Sequence, residues 1–202
     1  MKIYALTILL LIVLLSCKQE ENKVQYQPIG YFSTKYTIST GAPRQGTLVP
    51  NSTGVIVLDT VYTKGLIELD EFEYIWVLYH FNQSKGWDLI VRPPKSHHQF
   101  GVFATRSPRR PNSIGLSLVK VDSIVANKIF VKDVDAFDGT PILDIKPFLP
   151  TVDFVNSNKN IEAEIHLGHH SENYINDTLV REFVLGEKSI SHSNTVDSQG
   201  EE

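Results

Sequence analysis

The sequence predicts a mainly β fold, a single antiparallel β-barrel with short helical turns. Three observations point there. The apolar segments are short and rich in β-branched and aromatic residues, as in Val55–Tyr62 (VIVLDTVY) and Tyr74–Phe81 (YIWVLYHF), and such residues pack well on a pleated surface. Clusters of Gly, Pro, Asn and Asp separate these segments at regular intervals, as turns separate strands. Few stretches carry the 3.6-residue period of an amphipathic helix. Many short strands with turns between them suit a sheet closed on itself, because closure leaves no unpaired edge.

The elements follow in chain order. Val55–Tyr62 is the first β-branched run, and Gly65–Glu73 (GLIELDEFE) is the best helical candidate, as one or two turns. Tyr74–Phe81 reads as a long buried strand, and Phe100–Phe103 and Ile114–Val121 as two further apolar strands. Ile129–Val134 alternates apolar and polar residues, as a half-exposed strand does. Ile142–Ile145 and Ile161–Leu167 are shorter runs, the latter with Ile161, Ala163, Ile165 and Leu167 on one strand face. Breakers lie at Thr40–Pro43, Pro50–Ser52, Arg92–Pro94 and Phe137–Pro141.

The two ends differ from this core. Residues 1–17 have a positive start, an apolar run from Ile3 to Leu15, and a Leu14-Leu15-Ser16-Cys17 close. The run is too short for an ordinary membrane-spanning helix and has the form of an export signal. Leu-Leu-Ser-Cys resembles the lipobox of bacterial lipoproteins, whose cysteine carries the lipid, and it implies an envelope protein anchored through Cys17; a cytoplasmic location is the alternative. Cys17 is the only cysteine, so no internal disulfide forms. Residues 18–28 read as a tether, 29–155 as the barrel, 156–186 as a C-terminal β extension, and the acid- and Ser-rich 187–202 as a disordered tail.

Charge narrows the function. There are 19 basic and 23 acidic residues, a net charge of −4. A general RNA binder is usually basic, so any nucleic-acid contact must be local. No G-x-G-x-x-G fingerprint occurs, which removes support for a doubly wound dinucleotide fold. The histidines at 97, 98, 166, 169 and 170 have no cysteine partner and lack a usual zinc spacing, so no metal is assigned.

The chemistry concentrates between Ala104 and Ser117 (ATRSPRRPNSIGLS), where three arginines and two prolines crowd into Arg106–Pro111. Proline fixes φ and pushes the preceding Ser107 and Arg110 toward extended backbone. The result is a stiff loop of permanent cations with forked donors, suited to carboxylates and phosphates. An anion or nucleotide site outranks a solvated basic turn here, because the loop links two apolar strands. Four weaker motifs accompany it: Pro43-Arg44-Gln45-Gly46, Phe81-Asn82-Gln83, Val91-Arg92-Pro93-Pro94, and Asp135–Pro147 with its Asp138-Gly139-Thr140 turn.

Together these motifs match one family in order and spacing. From Ile29 to Phe154 the chain resembles the TsaA-like (TrmO-type) family, through I-G, P-R-Q-G, G-L-x-x-L-x-x-F, V-R-P-P, G-V-F-A-T-R-S-P-x-R-P-N-x-I-G-L-S and D-G-T-P-I-L-D-I-K-P-F-L-P. The resemblance implies a β-barrel methyltransferase that uses S-adenosyl-L-methionine to N6-methylate threonylcarbamoyladenosine in tRNA, working as a homodimer. It implies that the cofactor is held at Arg44, Gln45, Gly46, Asn82, Gln83, Arg106, Leu116, Asp138, Gly139 and Thr140. Arg106 suits the cofactor carboxylate, Asp138 its amine or ribose, and Leu116 its adenine or thioether. Arg109 and Arg110 remain for substrate phosphate. No general base stands out. An alternative is an envelope-anchored binding module without that activity. The chain departs from the family pattern at Glu73-Tyr74, where Ser-His is common, at Asn82, where histidine is usual, and at Ser113, where proline is common.

Overall fold

The computed structural model describes residues 24–49, 52–93 and 98–155, with residues 160, 163, 164, 166 and 167. The segments expected as an export signal with Cys17, most of those expected as a tether and as the 156–186 extension, and the expected tail at 187–202 lie outside the described residues. Among the described residues eight strands occur in chain order: β1 (Gly30–Thr34), β2 (Thr53–Leu58), β3 (Tyr74–His80), β4 (Ile90–Val91), β5 (Phe100–Gly101), β6 (Ile114–Val125), β7 (Lys128–Lys132) and β8 (Pro141–Pro147). Six of them close into an antiparallel barrel in the order β1-β2-β7-β6-β3-β8, and β8 returns to β1 through Gly30 opposite Ile142. β4 and β5 form a separate two-stranded ribbon.

Strand alternation fills the interior. Along β3, Ile75, Val77 and Tyr79 are buried, while His80 is exposed. Register aligns Phe32 with Ile56 and Ile56 with Ile129, so three strands set one buried layer side by side. Each such side chain, fully buried, contributes about 1.5–3 kcal/mol relative to exposure. Tyr79 stands opposite Gly115 on β6. A Cβ at Gly115 would lie 2.2 Å from a Tyr79 ring carbon, so the ring occupies space that glycine alone leaves free.

The expected barrel is present, and several element bounds differ from the sequence reading. The run Val55–Tyr62 stops pairing at Leu58, where both neighbours end, and a 3-10 helix takes over from Thr60 to Leu66. The helical candidate Gly65–Glu73 is divided between that helix and a second one at Leu69–Glu71, with Glu68 left-handed between them (φ 63°). Phe100–Phe103 turns into a 3-10 helix at Val102. β6 runs past Val121 to Val125, because its hairpin with β7 continues to the Val125–Lys128 pair.

Ile161–Leu167, expected as a strand, is not one in its described residues. Asn160, Ala163, Glu164 and His166 are helical, and the Leu167 N–H donates to the carbonyls of Ala163 and Glu164. The barrel is already closed, so its sheet offers this segment no edge to join. Ala163 and Leu167 also fit a four-residue helical spacing.

Gly115→Ala drives a methyl into the Tyr79 ring, and overpacking of this kind costs about 1–3 kcal/mol. Denaturant unfolding is expected to show that loss; full stability would contradict the packing described.

Candidate functional site

At one mouth of the barrel lies a cleft of about 700 Å³. One wall is the Ala42–Gln45 segment, a second is Phe81–Ser84 just beyond β3, and a third is the arginine loop from Thr105 to Pro108 with Arg110. Tyr79, Gly115, Asp135, Ala136 and Thr140 line its inner side, and Leu116 lies at the rim with its side chain exposed.

The floor holds a directed chain of hydrogen bonds. Ser117 Oγ donates to Asp135 Oδ1 at 2.5 Å, and Tyr79 Oη lies 3.1 Å from Ser117 Oγ. The one hydroxyl proton of Ser117 is committed to Asp135, so Tyr79 is the donor at the outer end. Burial pushes the Asp135 carboxyl above its usual range, opposed by the Ser117 bond, by the backbone amides of Asp135 and Gly46, and by the charge of Arg106. Burial also pushes the Tyr79 hydroxyl far up, reinforced by Asp135 and eased by Ser117 and Arg106. Tyr79 therefore stays protonated and keeps its donor role.

The three loop arginines have separate tasks. Arg106 Nη1 donates to Gln45 Oε1 across the cleft, and Gln45 Nε2 donates to the Arg44 carbonyl at 2.6 Å. Arg109 forms a 2.9 Å ion pair with Asp88 in which both side chains are more than half exposed. Arg110 Nη1 donates to the Thr105 carbonyl at 2.8 Å, with longer contacts to the carbonyls of Ser107 and Val102. Thr105 Oγ1 adds a bond to the Val102 carbonyl, and Ser84 Oγ one to that of Pro108. The loop is thus fastened to itself and to the opposite wall.

Arg44 carries an orphan. Its Nη1 is buried and has no hydrogen-bond partner among the described residues. A buried donor left unsatisfied costs about 1–3 kcal/mol.

Of the sequence-predicted residues, the cleft brings together Arg44, Gln45, Asn82, Gln83, Arg106, Arg110, Leu116 and Thr140. Four stand outside its lining. Gly46 is buried behind Gln45, where a Cβ would lie 1.7 Å from the Asp133 carbonyl oxygen. Asp138 is exposed, and its Oδ1 accepts the Thr34 N–H at 3.0 Å. Gly139, with φ 73°, turns the chain, and its N–H reaches the Phe32 carbonyl. Arg109 lies on the exposed side with Asp88. The phosphate role expected of Arg110 meets a guanidinium already engaged with its own loop.

Sequence reasoning missed Tyr79, Ser117 and Asp135 as site residues. Each lay inside a quoted string, but Asp135 read as part of a turn and the other two as strand residues. Of the family departures, Asn82 lines the cleft, whereas Tyr74 lies beneath Lys120, whose Nζ is 5.8 Å from the ring centre.

Comparison with known proteins agrees with this architecture. Residues 31–154 match the model of the tRNA-methyltransferase O N-terminal domain. A probable S-adenosyl-L-methionine-binding protein of Pyrococcus abyssi is 37% identical over 144 residues, covering 70% of this chain and 78% of the relative. The tRNA (adenine(37)-N6)-methyltransferase of Escherichia coli is 39% identical, over 62% of this chain and 58% of the enzyme. Its mouse counterpart is 34% identical over 75% of this chain, which spans 36% of that longer enzyme. The crystal structure of TrmO from Pseudomonas aeruginosa superposes with a TM-score of 0.57 at 32% identity, over 68% of this chain and 62% of the other. With the barrel, the arginine loop and this match in agreement, the chain belongs to the family of the tRNA-methyltransferase O N-terminal domain.

Proposed function

We propose that this domain binds S-adenosyl-L-methionine in the cleft and methylates the N6 nitrogen of threonylcarbamoyladenosine in tRNA. The observation that carries the reading is the buried, unpartnered Nη1 of Arg44 in a cleft that also holds Arg106. Such a pair of guanidiniums suits a carboxylate, which the methionine half of the cofactor bears. The names of the Pyrococcus, mouse and Escherichia coli relatives support the same cofactor and reaction.

The remaining residues fit the group by chemical type. Asn82, Gln83 and Thr140 offer neutral donors and acceptors for its ribose and base, and Leu116 offers an apolar face. Asp138 and Gly139 act one step back, fastening to β1 the turn that carries Thr140. When bound, the cofactor would supply an electrophilic methyl group on a sulfonium, which would become a neutral thioether as N6 gained the methyl and gave up its proton to water. The protein's part is alignment, and walls already fastened by Arg110, Ser84 and Gln45 lose little freedom in providing it. No side chain is assigned as general base.

For the tRNA, Arg109 suits a backbone phosphate better than Arg110 does. Its exposed pair with Asp88 is worth at most about 1 kcal/mol, so a phosphate replaces Asp88 at small cost. A homodimer belongs to the same proposal. Trp87, Leu89, Ile90 and Phe103 lie exposed on and beside the β4–β5 ribbon, next to the cleft, and a second copy would cover them. Membrane attachment through lipid on Cys17, in the cell envelope, rests on the Leu14–Cys17 string. That string also favours a second reading, an anchored binding module without tRNA methylation, because tRNA and the cofactor are cytoplasmic. A cytoplasmic enzyme whose apolar segment is not processed is the other placement.

Titration calorimetry with S-adenosyl-L-methionine is expected to show binding that Arg44→Ala weakens about tenfold or more, the worth of a hydrogen bond to a charged group. Unchanged affinity would remove Arg44 from the site. Arg109→Ala should leave cofactor affinity intact and lower the slope of log K for tRNA against log salt by about one; an unaltered slope rejects its phosphate contact. Labelled palmitate should enter the wild type and be lost in Cys17→Ser, and incorporation that survives the substitution disproves lipidation there.

A further inference from the structure

Asp138, the acid expected to take the cofactor's amine or ribose, stands outside the cleft lining and accepts the Thr34 N–H at 3.0 Å. The positive end of the ligand is then without a partner among the roles given above. S-adenosyl-L-methionine carries an α-ammonium beside its carboxylate, and a charge taken out of water needs an opposite charge or good hydrogen bonds.

The charged residues that line the cleft are Arg44, Arg92, Arg106, Arg110 and Asp135. Asp135 is the one acid among them. It shares that lining with Arg44, whose Nη1 is the group proposed for the carboxylate. Its own carboxylate is aimed. Ser117 Oγ donates to Oδ1 at 2.5 Å, Tyr79 Oη lies 3.1 Å from Ser117 Oγ, and the Tyr79 ring is fixed against Gly115. An ionised carboxylate has about four acceptor sites, and the serine takes one of them. Among the described residues this half-buried acid forms no ion pair. Arg106, on the facing wall, gives Nη1 to Gln45 instead.

We infer that Asp135 receives the α-ammonium of S-adenosyl-L-methionine, so that Arg44 and Asp135 together bind the two charged groups of its amino-acid end. The inference rests on the cofactor reading above for the identity of the ligand. Ser117 and Tyr79 become positioning residues that aim the carboxylate. The acid also confers selectivity. A cleft charged by arginines alone would accept any small carboxylate or phosphate, whereas Asp135 favours an anion with a cation beside it and disfavours one without.

Calorimetry on the full chain tests this with two ligands. One is S-adenosyl-L-homocysteine, the thioether left after methyl transfer, and the other is its analogue with hydrogen in place of the α-amino group. Wild type is expected to bind the amine-bearing ligand about tenfold or more tighter, as a hydrogen bond between charged groups contributes. Asp135→Asn keeps the side-chain shape and an acceptor for Ser117 but removes the charge, and should bring the two affinities within about twofold of each other. Asp138→Asn should retain the wild-type preference. An equal loss of affinity for both ligands in Asp135→Asn overturns the proposal, because it marks a deformed cleft and not a lost ammonium contact. Loss of the preference in Asp138→Asn alone also overturns it and returns the ammonium to Asp138. If Asp135→Asn does not fold, Ser117→Ala, which releases the carboxylate, takes its place and should narrow the preference several-fold; an unchanged preference overturns the proposal. Equal binding of both ligands by the unaltered chain rejects the ammonium contact and leaves cofactor binding standing. If neither ligand binds, the cofactor reading fails and the proposal falls with it.

Discussion

The Tyr79 ring seated on Gly115 joins the barrel core to the cleft. The ring belongs to the core: it is buried, and it meets Phe32 edge-on with centroids 5.7 Å apart. The hydroxyl belongs to the cleft, where it supports Ser117 and through it Asp135. Both roles need the ring flat against β6, and a side chain at position 115 would lift it. Burying a hydroxyl and a carboxylate is unfavourable unless each is bonded, so the hydrogen-bond chain is what allows polar groups beneath an apolar barrel mouth. The close approach of Gly46 to the Asp133–Val134 backbone does the same for the opposite wall.

On this base the arginine loop divides its labour by burial. Arg110, half-buried, supplies donors to loop carbonyls that no strand satisfies. Arg106 spans the cleft to Gln45 and lowers the cost of the Asp135 charge. Arg109 is solvated and exchangeable. A string of like residues in sequence becomes a brace, a cleft wall and a surface cation.

Much of this was legible in the sequence where local pattern and tertiary need agree. β3 reads as a strand because its alternate residues face a core on one side, and β7 for the same reason. The arginine loop was legible from its own chemistry, whereas Arg44–Gln45 and Asn82–Gln83, weak as single motifs, were legible as cleft walls only through the family resemblance. What was hidden depended on distant partners. Nothing local ends a strand at Leu58; the end follows from where β1 and β7 stop. Ile161–Leu167 alternates like a strand, yet the closed sheet has no place for it. Asp135 precedes an Asp-Gly turn and read as part of it, because its partner Ser117 is 18 residues away. Asp138, the more conspicuous acid of that turn, spends its side chain on β1.

The proposed role of this cleft is to align S-adenosyl-L-methionine with N6 of a modified adenosine in tRNA. Mass spectrometry of nucleosides, after incubating the purified full chain with the cofactor and tRNA bearing threonylcarbamoyladenosine, tests it most directly. The fold and cleft described here predict that the modified adenosine gains one methyl group at N6 and that the gain requires the cofactor. Threonylcarbamoyladenosine recovered unmethylated, from protein that is folded and has bound the cofactor, would contradict it.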